Sequence, residues 1–195
     1  MCVAVCVPAG VQLTDEQIVA MHASNRDSWG FGFLQEYPAT LSTRPSGYAG
    51  FIRTAKGTTD TDTAIKSYRS SINDHPEVLK YPHLAHFRIT TAGLTDYSNA
   101  HPFILDHGAM VHNGHLPGNE PGNHSDTAQF ANAIRGVVKP GMSPEVIKWM
   151  QDKIGYNKLI FLWRDGTAQI VNEEAGTRLP NGIWASNTHW QSRLK

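Results

Sequence analysis

The sharpest chemical feature of this chain is its second residue. Cys2 follows Met1, and an initiator methionine is normally trimmed before a small second residue, which would leave a thiol and a free α-amine on one residue. A free thiol titrates near about 8.5 and an α-amine near about 7.7–8.0, so at neutral pH part of the amine is unprotonated and able to take the thiol proton. This is the logic of an N-terminal nucleophile that uses its own amine as general base. The plainer reading of Cys2 is a small residue packed in a strand, as most buried cysteines are inert. Cys6 is the one other cysteine, and two thiols make neither a disulfide framework nor a four-thiolate metal site.

Eight of the ten histidines fall between His75 and His124, which raises zinc as a question. The pairs His83/His86 and His112/His115 are spaced three apart, which on a strand puts their side chains on opposite faces, and neither has a third cysteine or acidic ligand at a fixed offset. Histidines that bond backbone are the commoner case. The order of four short pieces is more specific. His86-Phe-Arg-Ile-Thr-Thr-Ala-Gly93 ends a strand in a polar, glycine-closed loop; Asn99-Ala-His-Pro-Phe103 follows; Met110-Val-His-Asn-Gly114 closes a hairpin; and Ser125-Asp-Thr127 opens a helix. Arg88 offers a cation to a carboxylate, Asn113 and the Gly114 N–H offer donors to a developing oxyanion, and Asp126 offers a carboxylate to an ammonium. Together they suit an amino acid whose side-chain carbonyl is attacked by a thiol. Singly, each has a structural reading: Arg88 in a surface ion pair, Asn113-Gly114 as a turn, Asp126 as a first-turn helix charge.

The elements that must position these groups can be read from pattern. Cys2–Pro8 alternates β-branched residues and predicts a strand at the N-terminus, with Cys2, Ala4 and Cys6 on one face and Val3, Val5 and Val7 on the other. Thr14-Asp-Glu-Gln17 is a capping box for a helix over about 14–25. Trp29–Leu34 alternates aromatics with glycine, as in a strand that another backbone approaches closely. Further strands are predicted at Tyr48–Arg53, His83–Thr90, Pro102–Leu105, Ala109–His112, Leu159–Trp163, Ala168–Val171 and Gly182–Ser186, with Asp165-Gly166 turning one hairpin. Helices are predicted over Asp60–Asn73, from Ser125, and from Ser143-Pro144 to about Ile154. Strands with helices inserted in groups imply an α+β fold in a single domain spanning 1–195.

The 195 residues carry 17 Lys+Arg against 17 Asp+Glu, 17% charged in all, so there is no basic excess for a nucleic-acid backbone or an anionic membrane. No window approaches the roughly 18 apolar residues of a membrane span, and Cys2–Pro8 is too short, and lacks the positive flank, for a signal segment. Neither nucleic acid nor membrane is expected as a partner, and the expected location is cytoplasmic. One domain of this length also suits one half-reaction better than a two-substrate synthase.

From Cys2 to about Asn187 the chain resembles the glutaminase domain of the class II glutamine amidotransferases, a family of N-terminal-nucleophile hydrolases. The likeness is carried by Met1-Cys2 before a strand, by Asn25-Arg-Asp-Ser-Trp-Gly-Phe-Gly32, by His86–Gly93, by Asn99–Pro102, by His112–Gly114, by Ser125–Ala128 and by the late Trp184-Ala-Ser-Asn187. The resemblance implies a four-layer αββα sandwich, two stacked and mainly antiparallel sheets between helices. It implies hydrolysis of glutamine to glutamate and ammonia through a Cys2 thioester, without a cofactor and without a metal. Cys2 would be nucleophile and base, with Asn113 and Gly114 as the oxyanion site. Arg88 would bind the α-carboxylate and Asp126 the α-ammonium, Thr91 and His101 would line the substrate site, and the loop from Arg88 to about Asp96 would be a lid. Ile89 stands where the family has an aromatic, Ala128 where it has a glutamate, and the chain stops at Lys195 where family members continue into a synthase domain. A separate ammonia-accepting synthase is therefore the expected partner. The alternatives are an amidohydrolase for a γ-glutamyl or other linear amide and, from another class, a catalytically silent binding or regulatory module holding zinc through the histidine-rich middle.

Overall fold

A computed structural model of the chain describes residues 2–43, 45–116 and 122–194. The strands are β1 (Val3–Val7), β2 (Ser28–Glu36), β3 (Gly50–Gly57), β4 (His83–Arg88), β5 (Phe103–Leu105), β6 (Gly108–Asn113), β7 (Lys158–Trp163), β8 (Ala168–Val171), β9 (Thr177–Arg178) and β10 (Trp184–Ala185). The α-helices are α1 (Asp15–Ser24), α2 (Thr61–Asn73), α3 (Asp126–Ile134) and α4 (Pro144–Ile154). The strands form a six-stranded sheet in the order β3-β2-β4-β1-β10-β9 and a four-stranded sheet in the order β5-β6-β7-β8, with antiparallel neighbours throughout.

Period-2 alternation divides the apolar side chains into three sets. Val3, Val5, Val7, Phe31, Phe33, Ala85 and Phe87 leave one face of the larger sheet and pack on Ile18 and Met21 of α1 and Ala64, Tyr68 and Ile72 of α2. From the opposite face Ala4 and Leu84 meet Ala109, Val111, Ile160 and Leu162 of the smaller sheet. The far face of that sheet, through Met110, Leu159, Phe161 and Trp163, packs on Ala131 and Ile134 of α3 and Met150 and Ile154 of α4. The fold is thus α+β, with two antiparallel sheets face to face and helices on both outer sides.

Local signals in the sequence become these elements by identifiable contacts. Thr14 Oγ1 accepts from the Gln17 N–H at 3.1 Å while Gln17 Oε1 accepts from the Thr14 N–H at 2.9 Å, completing the capping box. The Asp60 carboxylate caps α2 through the Thr63 N–H, and the Ser125 hydroxyl caps α3 through the Ala128 N–H. Gly30 is glycine because another backbone passes over it: a Cβ there would lie 1.8 Å from the His101 carbonyl oxygen. Several expected strand ends move, β2 to Ser28–Glu36 and the end of β4 to Arg88 among them. The strand expected at Tyr48–Arg53 begins at Gly50 and runs on to Gly57, because pairing with the long β2 carries it there. The last strand contracts to Trp184–Ala185, yet the ladder's direction continues, with the Ser186 N–H donating to the Ala4 carbonyl at 2.9 Å. The two-residue β9 had no readable pattern and exists as an edge partner of β10. Among the described residues no helix is long and apolar enough to cross a membrane.

Candidate active site

Cys2 lies just before β1, at the end of the central strand of the larger sheet. Its Sγ sits 3.4 Å from both the N–H and the carbonyl oxygen of Ile89, the first residue after β4. The Cys2 carbonyl accepts from Asn187 Nδ2 at 2.7 Å. One residue earlier, Ser186 Oγ accepts from the Ala4 N–H at 2.9 Å and lies 2.6 Å from Asn113 Nδ2 at the end of β6. The tail of β10 therefore touches the backbone of Cys2 with one residue and the amide of Asn113, from the other sheet, with the one before it. Burial pushes the Cys2 thiol above its ordinary range, opposed by the Ile89 N–H and the positive charge of Arg88. A thiol held protonated in this way needs a base to become a nucleophile.

Gly114, next to Asn113, has φ +143°, and a Cβ on it would fall 1.8 Å from Asn157 Oδ1. Asn157 is held in turn by its Nδ2 on the Ile154 carbonyl and by His112 Nε2 at 2.9 Å from its Oδ1. Because that oxygen can only accept, His112 Nε2 carries the hydrogen and its Nδ1 accepts from the Thr127 hydroxyl at 2.7 Å. On the other side of β6, His86 Nε2 lies 2.9 Å from the His112 carbonyl, so that nitrogen too must be the N–H. Burial pushes His86 down to about 3, which keeps the ring neutral and this bond a donor to carbonyl. The rings of His86 and His101 stack at 3.8 Å between centroids.

The expected substrate-binding groups are gathered around the same sheet ends. Arg88 is buried at the end of β4, and its guanidinium donates to the Thr90 hydroxyl at 3.0 Å, the Leu94 carbonyl at 3.1 Å and the Ala92 carbonyl at 2.6 Å. It thus curls the 88–94 loop around itself. Thr91 is exposed on that loop. Asp126, 6% exposed at the first turn of α3, accepts from the Leu116 N–H and the Thr127 N–H, both at 2.8 Å, with His115 Nδ1 at 3.6 Å. His101 is buried, its ring between His86 and Phe103, and neither ring nitrogen has a partner among the described residues. The loop docks on the start of α3 through Asn99, whose Oδ1 accepts from the Ser125 N–H at 2.6 Å and whose Nδ2 donates to the Leu94 and Asn123 carbonyls.

No protein-family model and no curated protein matches this chain. What the site can do rests on its own geometry.

Several positioning residues escaped the reading of single motifs. Asp27 accepts from the Thr90 N–H and so pins the loop to the start of β2; its place inside Asn25–Gly32, between a helix end and a glycine-rich strand, was the available signal. Asn157 stands in a turn far from any motif and had none. The histidines do not converge on a metal: among the described residues no three His, Cys, Asp or Glu side chains form a group that could hold one. His83 pairs with the Tyr68 hydroxyl instead, and His22 with that of Thr61.

Proposed function

We propose that this protein is a glutaminase of the class II glutamine amidotransferase type, folded as the four-layer αββα sandwich of N-terminal-nucleophile hydrolases. The observation that carries the reading is the meeting of the Cys2 thiol, the Arg88–Ile89 loop and the Asn113-Gly114 turn at one end of the two facing sheets, joined by Ser186 and Asn187.

Removal of Met1 would make the Cys2 amine the base. The amine takes the thiol proton as Sγ bonds to the side-chain carbonyl carbon of glutamine, and the carbonyl oxygen becomes an oxyanion facing the Asn113 amide and the Gly114 N–H. The same amine returns the proton to the departing nitrogen, the C–N bond breaks, and ammonia leaves a γ-glutamyl thioester. Water then attacks the thioester with the amine again as base, releasing glutamate and restoring the thiol. Arg88 binds the α-carboxylate by exchanging bonds to neutral loop oxygens for a bidentate pair with an ionised acceptor. The loop it curls, 88–96, closes over the substrate in that exchange. Asp126 offers the α-ammonium an acceptor, and the ammonia passes to a separate synthase.

The test is steady-state release of glutamate from glutamine by protein whose intact mass shows Cys2 as the first residue. Activity that disappears in Cys2→Ala, together with covalent labelling of Cys2 by an electrophilic glutamine analogue, supports the reading. Absence of both in correctly processed protein refutes it. Greater turnover of γ-glutamyl compounds than of glutamine would move the substrate within the same chemistry.

A further inference from the structure

Asn113 and Ser186 are joined by a contact that, in one orientation of the amide, leaves a buried oxygen without a partner among the described residues, beside a hydroxyl with a hydrogen to give. With the Asn113 nitrogen facing the hydroxyl, Nδ2 donates to Ser186 Oγ at 2.6 Å, and the hydroxyl's own hydrogen has no acceptor in Asn113. That orientation also leaves Asn113 Oδ1 buried without a partner among the described residues. Ser186 Oγ already accepts from the Ala4 N–H at 2.9 Å, so its own hydrogen is available to donate. The two ends of a side-chain amide are nearly the same size, and exchanging them moves no heavy atom.

We infer that Ser186 is a positioning residue: its hydroxyl donates to Asn113 Oδ1 and so turns the Asn113 NH2 away from itself, unpaired, for the oxyanion. The Ala4 N–H fixes the hydroxyl, Ala4 being two residues from Cys2 on the same strand, so nucleophile and oxyanion donor share one ruler. The buried unpaired group is then a donor, the kind an oxyanion satisfies. An unpaired carbonyl oxygen there would repel the negative charge instead. The catalytic meaning of this arrangement rests on the glutaminase reading, while the orientation itself does not.

Two measurements separate them. In isotope-labelled wild-type protein, through-space NMR cross-peaks from the Asn113 side-chain NH2 to the Ser186 β-protons are expected to be weak or absent. Strong cross-peaks would put the nitrogen against the hydroxyl and overturn the inference, whatever the enzyme does. In glutamine hydrolysis, Ser186→Ala is expected to lower kcat by about tenfold to a hundredfold, short of or equal to the loss of an oxyanion donor, with KM changed by less than about twofold. In an Asn113→Ala background the same change is expected to cost nothing further, and a full, additive loss there would show that Ser186 acts independently of Asn113 and overturn its positioning role. Wild-type protein with no activity on glutamine sinks the glutaminase reading, and the cross-peaks still decide the amide.

Discussion

At the scale of single residues, the glutaminase reading puts the chemistry on Cys2, and the surroundings of its thiol would set the pH at which it works. Its thiol is pushed up by burial, and on that reading the rate would follow the neutral fraction of the amine that takes the proton. With Cys2 as the first residue, kcat/KM for glutamine is expected to rise about tenfold per pH unit below the amine's titration near about 7.7–8.0 and to level off above it. A pH-rate profile checks this, and a rate independent of pH from 6 to 8 would remove the amine from the mechanism. Gly114 makes a second residue-scale prediction. In Gly114→Ala the new methyl meets Asn157 Oδ1 at 1.8 Å on a backbone of positive φ, so glutamine turnover is expected to fall by a hundredfold or more, about what loss of one oxyanion donor costs. Stability is expected to fall by about 1–3 kcal/mol or more, an overpacking cost, read by chemical denaturation.

At the scale of elements, the loop between β4 and β5 is held at defined points rather than by a core of its own. Asp27 pins its start, Arg88 gathers its carbonyls, and Asn99 fastens its end to α3. Asn99→Ala removes the acceptor of the buried Ser125 N–H and the donor of two carbonyls, leaving polar groups unsatisfied at about 1–3 kcal/mol. The expected result is a higher KM for glutamine, a smaller change in kcat and faster amide hydrogen exchange confined to residues 90–99 and 123–127. Unchanged KM would show that docking of this loop does not set substrate affinity. The cap of the neighbouring helix was legible beforehand: Ser125 before Asp126-Thr127 is a first-turn signature, and its hydroxyl does accept from the Ala128 N–H. Asn99 was legible only as part of a short motif. The four hydrogen bonds of its side chain reach residues 94, 96, 123 and 125, and the later two come near only when α3 folds back on the smaller sheet.

At the scale of the whole molecule, the histidines make the fold acid-sensitive. Burial pushes His83 and His86 down to about 3 and lowers His101 and His112 as well. In the unfolded chain each takes a proton below about pH 6.5; in the fold His83, His86 and His101 do so only much lower, and His112 lower. Their contribution is therefore complete above the unfolded value and is lost as the pH falls, by up to about 1.4 kcal/mol per histidine per pH unit. Against a total stability of about 5–15 kcal/mol, a loss on this scale places cooperative acid unfolding between about pH 4 and 5.5, to be followed by far-UV circular dichroism. A fold intact at pH 3.5 would contradict it. Two of these rings are spent in contacts between layers, His86 on the His112 carbonyl and His83 on the Tyr68 hydroxyl of α2, and among the described residues no three His, Cys, Asp or Glu side chains form a group that could hold a metal.

The sequence by itself determined the elements, because helix caps and the period-2 alternation of Val3–Val7 or Phe31–Phe33 act over a few residues and mark both element and face. It also singled out Cys2, Arg88, Asn113, Gly114 and Asp126 as chemically apt. Only the tertiary structure decided how they meet. The Cys2–Ile89, Asn113–Ser186 and Ala4–Ser186 contacts span 87, 73 and 182 residues of chain. Contacts of that reach follow from which strands pair and how two sheets stack, and a local pattern of polar residues carries no record of either.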